Sequence, residues 1–191
     1  MSKTTITLPS FGLTDPGKDK NLMWDDSASA LTIAGENPTP VAEVWRLSTN
    51  VTGDSTAITN VEKADTDSPG ELNAGMSESS GVWTFPSTGI WLVRFTGVSQ
   101  LDGEARLISL RIMATTDNSS YSEAAESYYF ISQTSSSATW NTGTCEHMFD
   151  VTNTTNCKIK FAVDTINTNS ILLSSTANNL AHFVFQRLGD T

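Results

Sequence analysis

Apolar and polar residues alternate in short runs, and this two-residue period restricts the fold of the chain more than any other feature. In the run 157–163 apolar residues occupy every odd position, and in the run 108–112 they occupy every even position. Alternation of this kind is typical of strands with one buried face. Ser, Thr and Asn make up about a third of the 191 residues and charged residues only 17%, which suits strands joined by hydroxyl-rich turns. The sequence therefore predicts an all-β protein.

Strand signals recur from residue 41 onward, with turn residues between them, and no segment sustains a helical period. The segment 121–127 fits either a single helical turn or a long loop. A series of short strands fits two packed antiparallel sheets. Ten strands are predicted, at 41–47, 58–62, 82–85, 90–98, 106–114, 128–133, 144–151, 158–163, 170–174 and 180–188.

The first 40 residues differ from the rest of the chain. Proline and glycine are frequent there and apolar runs are few, which is typical of an extended segment that buries little by itself. We therefore predict two parts: an N-terminal arm, 1–40, for docking or contacts between subunits, and a head, 41–191.

Two of the predicted strands carry apolar residues on both faces. They contain the runs 90–93 and 183–185. One face of such a strand packs in the core, and the other must be covered by something else, most economically by another subunit. This pattern predicts an oligomer.

The charge of the chain excludes several partners. Eleven basic residues against 21 acidic ones give a net charge of -10, which repels nucleic acid and anionic lipid. No apolar run approaches the ~18 residues of a membrane span. The first seven residues lack the apolar core of a signal peptide, so we expect synthesis in a cytoplasm without export.

The sequence offers little for catalysis or for cofactors. It has two histidines and none of the common nucleophile, phosphate-loop or zinc-protease motifs, so we expect no enzymatic activity and no cofactor. Its two cysteines are predicted to be reduced and buried, because a hairpin around 152–156 would place Cys145 near Val163 and away from Cys157.

Two groups of polar and aromatic residues remain as candidate sites. Asp65, Asp67 and Glu71 form a weak calcium candidate in an acidic loop, although a solvated loop is favoured over an ion site. A second group of aromatic side chains in polar stretches fits either a glycan-stacking surface or an interface with a partner. Its members are Tyr121, Tyr128 and Trp140.

The segment 81–95 reads as a strand, a tight turn and a second strand. Pro86 ends the first strand because it lacks a backbone donor, and Gly89 permits the turn. The segment resembles a signature of the globular heads of complement and tumour-necrosis-factor-like proteins, in which an aromatic strand, Pro, a short turn and Gly precede an aromatic-rich strand. The matching residues are Phe85, Pro86, Gly89, Trp91 and Phe95.

The resemblance extends over 41–188, with 41–47 similar to the opening strand of such heads and 178–188 similar to the closing strand. It implies a ten-stranded antiparallel jelly-roll sandwich assembled as a homotrimer, with the closing strand near the three-fold axis. The chain departs from these heads in lacking a collagen-like stalk and in carrying a histidine where a small residue is usual. The expected interface or axis residues are Trp91, Val93, Phe95, His182, Phe183 and Phe185.

An acidic, hydroxyl-rich jelly roll without an export signal resembles the virion proteins of tailed bacteriophages, which are made in the host cytoplasm. We therefore expect a trimeric capsid decoration protein that stabilises or coats the head. Its arm would bind the major capsid protein or another virion protein. The alternative is a receptor-binding head on a fibre or tail, which would recognise a host-surface glycan or protein.

Overall fold

The computed structural model describes residues 22–25, 30–33, 40–66, 70–73, 75–133 and 137–191. The chain divides into two compact units, Met1–Thr39 and Pro40–Thr191. In the first unit, strands β1 (Leu22–Asp25) and β2 (Ala30–Ile33) pair antiparallel, with Leu22 opposite Ile33.

The second unit is built of strands, and every element of regular structure within the described ranges is a strand. The all-β prediction is therefore confirmed. The strands are β3 (Val41–Leu47), β4 (Val51–Thr52), β5 (Val61–Lys63), β6 (Glu71–Leu72), β7 (Ser77–Ser79), β8 (Val82–Thr84), β9 (Gly89–Leu101), β10 (Ala105–Thr115), β11 (Ser122–Ile131), β12 (Thr139–Val151), β13 (Lys158–Thr165), β14 (Ile171–Leu172) and β15 (His182–Gly189).

These strands form two antiparallel sheets. In the first sheet, β9 pairs with β12 on one side and with β15 and β14 on the other; β15 then pairs with β3, which carries β5 and β6, and β14 pairs with β4. The second sheet has the order β11-β10-β13-β8-β7. The two sheets enclose one core, as in the predicted sandwich.

Aromatic side chains from both sheets meet in the middle of this core. The ring of Phe161, from the second sheet, lies 4.4 Å from that of Phe183, from the first. Phe183 in turn stacks on Phe95 at 4.9 Å, and Trp83 lies 4.9 Å from Phe185. All of these rings are fully buried. Because large aromatic surfaces dominate burial, this cluster fixes how the two sheets pack.

The turn before β9 has the structure expected from the sequence. Phe85 packs against Trp91, with ring centroids 5.3 Å apart. Gly89 has φ +136°, and a Cβ atom there would lie 2.5 Å from the carbonyl oxygen of Gly189. Only glycine fits this conformation and this close approach to the last strand.

Two local predictions were wrong. The segment 121–127 is neither a helical turn nor a loop, because Ser122–Ile131 pairs with β10 over its whole length. The turn at 152–156 is not a hairpin, because β12 and β13 lie in different sheets and the turn carries the chain between them. The conclusion about the thiols is nevertheless confirmed, since Cys145 and Cys157 are both buried and free.

Candidate functional site

Five of the six residues predicted for the subunit interface lie in the core, so their assignment to the interface was wrong. They sit at inward positions of β9 and β15, where the alternation of the strands directs them between the sheets. A side chain with no exposed surface in the single chain has none to lose in an assembly. The five are Trp91, Val93, Phe95, Phe183 and Phe185.

Residues at the outward positions of β9 and β15, together with outward residues of β3 and β12, form an apolar surface on the first sheet. We call it the apolar face and define it by Val44, Ile90, Leu92, Met148 and Val184. Val44 lies opposite Val184, and Leu92 lies opposite Met148. The four neighbouring strands β12, β9, β15 and β3 thus all contribute to one continuous patch.

Met148 is the most exposed member of the apolar face. Its side chain is 62% exposed, while Leu92 beside it is only half-buried. A thioether side chain adapts to irregular partner surfaces. An exposed apolar patch on a β-sheet typically marks a surface that another molecule covers.

Two pairs of polar groups beside this face are satisfied inside the chain. Arg94 donates from Nε to Oε1 of Glu146 on the neighbouring strand, and the hydroxyls of Thr96 and Thr144 lie 3.0 Å apart. The Arg94–Glu146 pair adds no net charge. A partner can therefore cover these two pairs without burying an unpaired charge, but it would also have to accommodate the exposed Asp150, opposite Ile90, and Gln186, opposite Leu92.

His182 is the one predicted interface residue that lies on the outward side. It is half-buried between Arg46 and Thr96, and its Nδ1 lies 3.2 Å from the carbonyl oxygen of Leu180. Arg46 beside it is almost fully buried and is held by Glu62 at 2.8 Å and Asp65 at 2.7 Å. His182 therefore lies at the edge of the apolar face, next to the polar residues Arg46 and Thr96.

The outer face of the second sheet has a different character. Arg111 binds Asp164 at 3.1 Å, and Lys160 lies 4.0 Å from the centroid of the Tyr121 ring. Lys158 donates to the hydroxyl of Thr84 at 2.9 Å. These charged side chains already have partners, as expected of a surface in contact with solvent, while the aromatic side chains of Tyr128 and Phe130 are exposed on the same face.

The three aromatic residues proposed for glycan stacking do not form one site. Tyr121 packs under Lys160, and Tyr128 is exposed on the outer face of the second sheet. Trp140 is exposed on the outward side of β12, in the first sheet. Residues on opposite faces of a sandwich cannot stack on a common sugar.

The calcium candidates are not gathered either. Asp65 forms an ion pair with Arg46, whereas Glu71 and the buried Glu43 both form ion pairs with Lys63. Asp67 lies outside the described residues. Across 40–66, 70–73, 75–133 and 137–191, no group of three or more His, Cys, Asp and Glu side chains is placed to hold a metal ion.

Cys145 and His147 both point inward from β12, and burial changes the pKa of each side chain. Burial raises the pKa of Cys145 to about 12 and lowers the pKa of His147 below its ordinary value. A thiol that stays protonated is a poor nucleophile and a poor metal ligand. Both residues therefore have packing roles.

The described ranges also contain no helix long and apolar enough to cross a membrane.

Solved structures share this architecture. Eiger, a TNF from S. frugiperda, superposes with a TM-score of 0.59 at 13% identity, covering 80% of this chain and 95% of that chain. Murine APRIL at pH 5.0 superposes with a TM-score of 0.56 at 8% identity, covering 78% of this chain and 99% of that chain. No family model and no curated protein matches the sequence. The chain therefore has the jelly-roll fold of TNF-like proteins, and the predicted TNF-like fold is confirmed.

Proposed function

We propose that this chain is a non-catalytic structural protein that works as a homotrimer, with subunits meeting through the apolar face. The observation that carries the proposal is the difference between the two outer faces. One presents Leu92, Met148 and Val184 around a neutral ion pair, while the central strands of the other carry partnered charges such as Arg111 with Asp164. Closed symmetry lets three copies bury such a face without leaving one exposed.

As the setting we propose the particle of a tailed bacteriophage, where the trimer is a capsid decoration protein. The segment 1–40 would bind the major capsid protein or another virion protein, and the head would coat the shell. Binding only to the assembled shell would stabilise it by mass action. The separate N-terminal unit supports this division, because a two-stranded hairpin such as β1–β2 is marginally stable alone and gains most from docking.

The alternative of a receptor-binding head on a fibre or tail is not supported by the aromatic residues first considered for it. Trp140 lies on the first sheet, whereas Tyr121 and Tyr128 lie on the outer face of the second, so the three residues offer no common glycan site. The decoration role needs only the assembly face and the arm.

The native mass of the full-length protein tests self-association directly. Light scattering after size-exclusion chromatography is expected to give about 62 kDa, three times the 20.6 kDa chain. Met148→Glu is expected to give monomers, because it places a charge in the covered face while its exposed position spares the fold. Ile166→Glu is the matched control, since Ile166 is 53% exposed but lies outside the apolar face.

A folded wild-type monomer at high protein concentration would overturn the proposed trimer. So would equal dissociation by Met148→Glu and Ile166→Glu, because the apolar face would then have no special role.

A further inference from the structure

One basic residue in the head differs from all the others that the structure describes. Arg106 is exposed and its guanidinium has no ion pair, hydrogen bond or ring contact anywhere in the described ranges. The other seven described basic side chains each have a polar or aromatic partner: Arg46, Lys63, Arg94, Arg111, Lys158, Lys160 and Arg187. In a chain with net charge -10, an unpaired guanidinium is a cation whose N–H groups are free to donate hydrogen bonds to an anion.

Arg106 also lines a cavity of about 230 Å³ at the edge of the second sheet, together with Glu104, Phe130, Ile131 and Ser132. A β-bulge forms this site. The register between β10 and β11 shifts between Ala105 and Ile108, so that two residues of β10 oppose one of β11. Bulges redirect side chains and are common beside functional sites.

Phe130 lies opposite this bulge and presents an aromatic surface to the cavity. Its side chain is 60% exposed, although most large apolar side chains of the head are buried. An exposed aromatic ring beside a free guanidinium offers stacking and charge recognition at one place.

The loops around the cavity are anchored from two sides. Asn167 donates from Nδ2 to the backbone oxygen of Glu104 at 3.0 Å, and Gln133 donates from Nε2 to Oδ1 of Asp102 at 3.1 Å. These bonds hold the backbone of Glu104 and the side chain of Gln133 beside the cavity. The described part of the site is thus held in place before a ligand binds, which reduces the entropy lost on binding.

The lining groups define the ligand. Arg106 favours a ligand with an anionic group, and the ring of Phe130 favours a ligand with a flat face of C–H groups. Glu104 and Ser132 have no side-chain partner within the described residues, and Glu104 accepts hydrogen bonds from hydroxyl groups. The cavity is smaller than a typical drug-sized site and suits one sugar ring.

We propose that this cavity binds a single carboxylated sugar residue, of the uronic acid or sialic acid class. The carboxylate binds Arg106, one face of the ring stacks on Phe130, and ring hydroxyls donate to Glu104. A phosphorylated ligand fits less well, because its second negative charge would face Glu104 on a strongly acidic protein.

The site lies on the second sheet, while the apolar face belongs to the first. It goes beyond the proposed structural role and does not depend on trimer formation. A monomer that binds the sugar, or a trimer that does not, would separate the two proposals.

Chemical-shift titration of the full-length protein with matched sugars tests the site. Glucuronic acid or N-acetylneuraminic acid is expected to bind with Kd of about 1 mM and to shift signals from 104–107 and 130–132. Glucose, which has a hydroxymethyl group where glucuronic acid has the carboxylate, is expected to bind about tenfold more weakly. Which of the two acids binds better distinguishes the uronic from the sialic class.

Variants connect the binding to the named residues. Arg106→Gln and Phe130→Ala are each expected to weaken binding of the acidic sugar about tenfold, while Arg106→Lys retains part of it. Trp140→Ala is the matched control: it removes an aromatic side chain that is 58% exposed on the first sheet and is expected to leave binding unchanged.

Three results would overturn the proposal. They are no shift with either acid up to about 50 mM, well above the expected Kd; equal binding by wild type, Arg106→Gln and Phe130→Ala; and tighter binding of a tetraglutamate peptide than of either sugar, which would make the site a docking point for acidic peptides.

Discussion

Among single residues, Tyr129 ties the two sheets together through a buried hydrogen bond. Its hydroxyl lies 2.7 Å from Oγ of Ser99, which belongs to the opposite sheet, and Ser99 is almost fully buried. Burial raises the pKa of Tyr129 to about 12. A neutral phenol that satisfies a buried hydroxyl stabilises the fold, and this stabilisation falls as the pH rises above the pKa of the unfolded tyrosine.

We expect Tyr129→Phe to lower the free energy of unfolding by about 1–2 kcal/mol at pH 8, because it leaves the Ser99 hydroxyl unpaired. Between pH 10 and 12 the unfolded wild-type tyrosine loses its proton while the folded one keeps it, so wild-type stability falls as pH rises. The phenylalanine variant lacks this loss, and the difference is expected to shrink by about 1 kcal/mol at pH 11.

Urea unfolding at pH 8 and pH 11 measures both values. Tyr128→Phe serves as the exposed control, with an expected effect below about 0.5 kcal/mol at pH 8. A difference between Tyr129→Phe and wild type that stays constant with pH would contradict the assigned burial of the phenol.

Among the strands, β9 and β12 are shaped by two glycines that lie opposite each other, Gly97 and Gly143. A Cβ atom on Gly143 would lie 2.5 Å from the ring of Tyr129, and one on Gly97 would lie 2.7 Å from Leu172 and 3.0 Å from Leu110. The two glycines thus leave a hollow in the first sheet that side chains of the second sheet fill. The missing side chains set how closely the sheets approach each other.

Gly143→Ala is expected to lower the free energy of unfolding by about 1–3 kcal/mol, because the added methyl group overpacks the ring of Tyr129. Gly189→Ala is the control, since a Cβ there meets no atom within 4 Å, and its effect is expected to stay below about 0.5 kcal/mol. Thermal and urea unfolding of both variants provide the measurement. Equal effects would show that the hollow tolerates a methyl group.

The strands also show how far the sequence alone leads. The strand predicted at 41–47 matches the bounds of β3, Val41–Leu47. In β9, the sequence showed apolar residues on both faces but not which face is inward, because that depends on pairing with β12 and β15. The larger side chains, such as Trp91 and Phe95, fill the core, and the smaller neighbours face outward.

The strand β11 and the cavity beside it were beyond prediction for a related reason. The Glu-Ala-Ala-Glu run at 123–126 has helical propensity, but pairing with β10 outweighs it. The register shift opposite Phe130 has no signature in the sequence, because a bulge depends on how two distant segments align. The sequence therefore could not bring Arg106 and Phe130 together.

At the scale of the whole molecule, the head has a large hydrophobic core of its own. The members of this cluster that the structure describes lie between Val41 and Phe185, and the chain divides at Pro40. The apolar face also belongs wholly to the head. Folding and self-association are therefore expected to reside in the head, and docking to a larger particle in the segment before it.

Deleting residues 1–39 is expected to leave a trimer whose urea midpoint matches that of the full-length protein, because no described core residue is lost. Under the proposed decoration role, binding to assembled phage shells, measured by co-sedimentation, is expected to disappear, since the proposed docking segment is gone. Full-length Met148→Glu is the complementary control: it keeps the arm and loses the trimer, so its single arm is expected to bind more weakly than three joined arms. A truncated protein that still binds shells would move the docking site into the head, and a truncated monomer would make the arm part of the subunit interface.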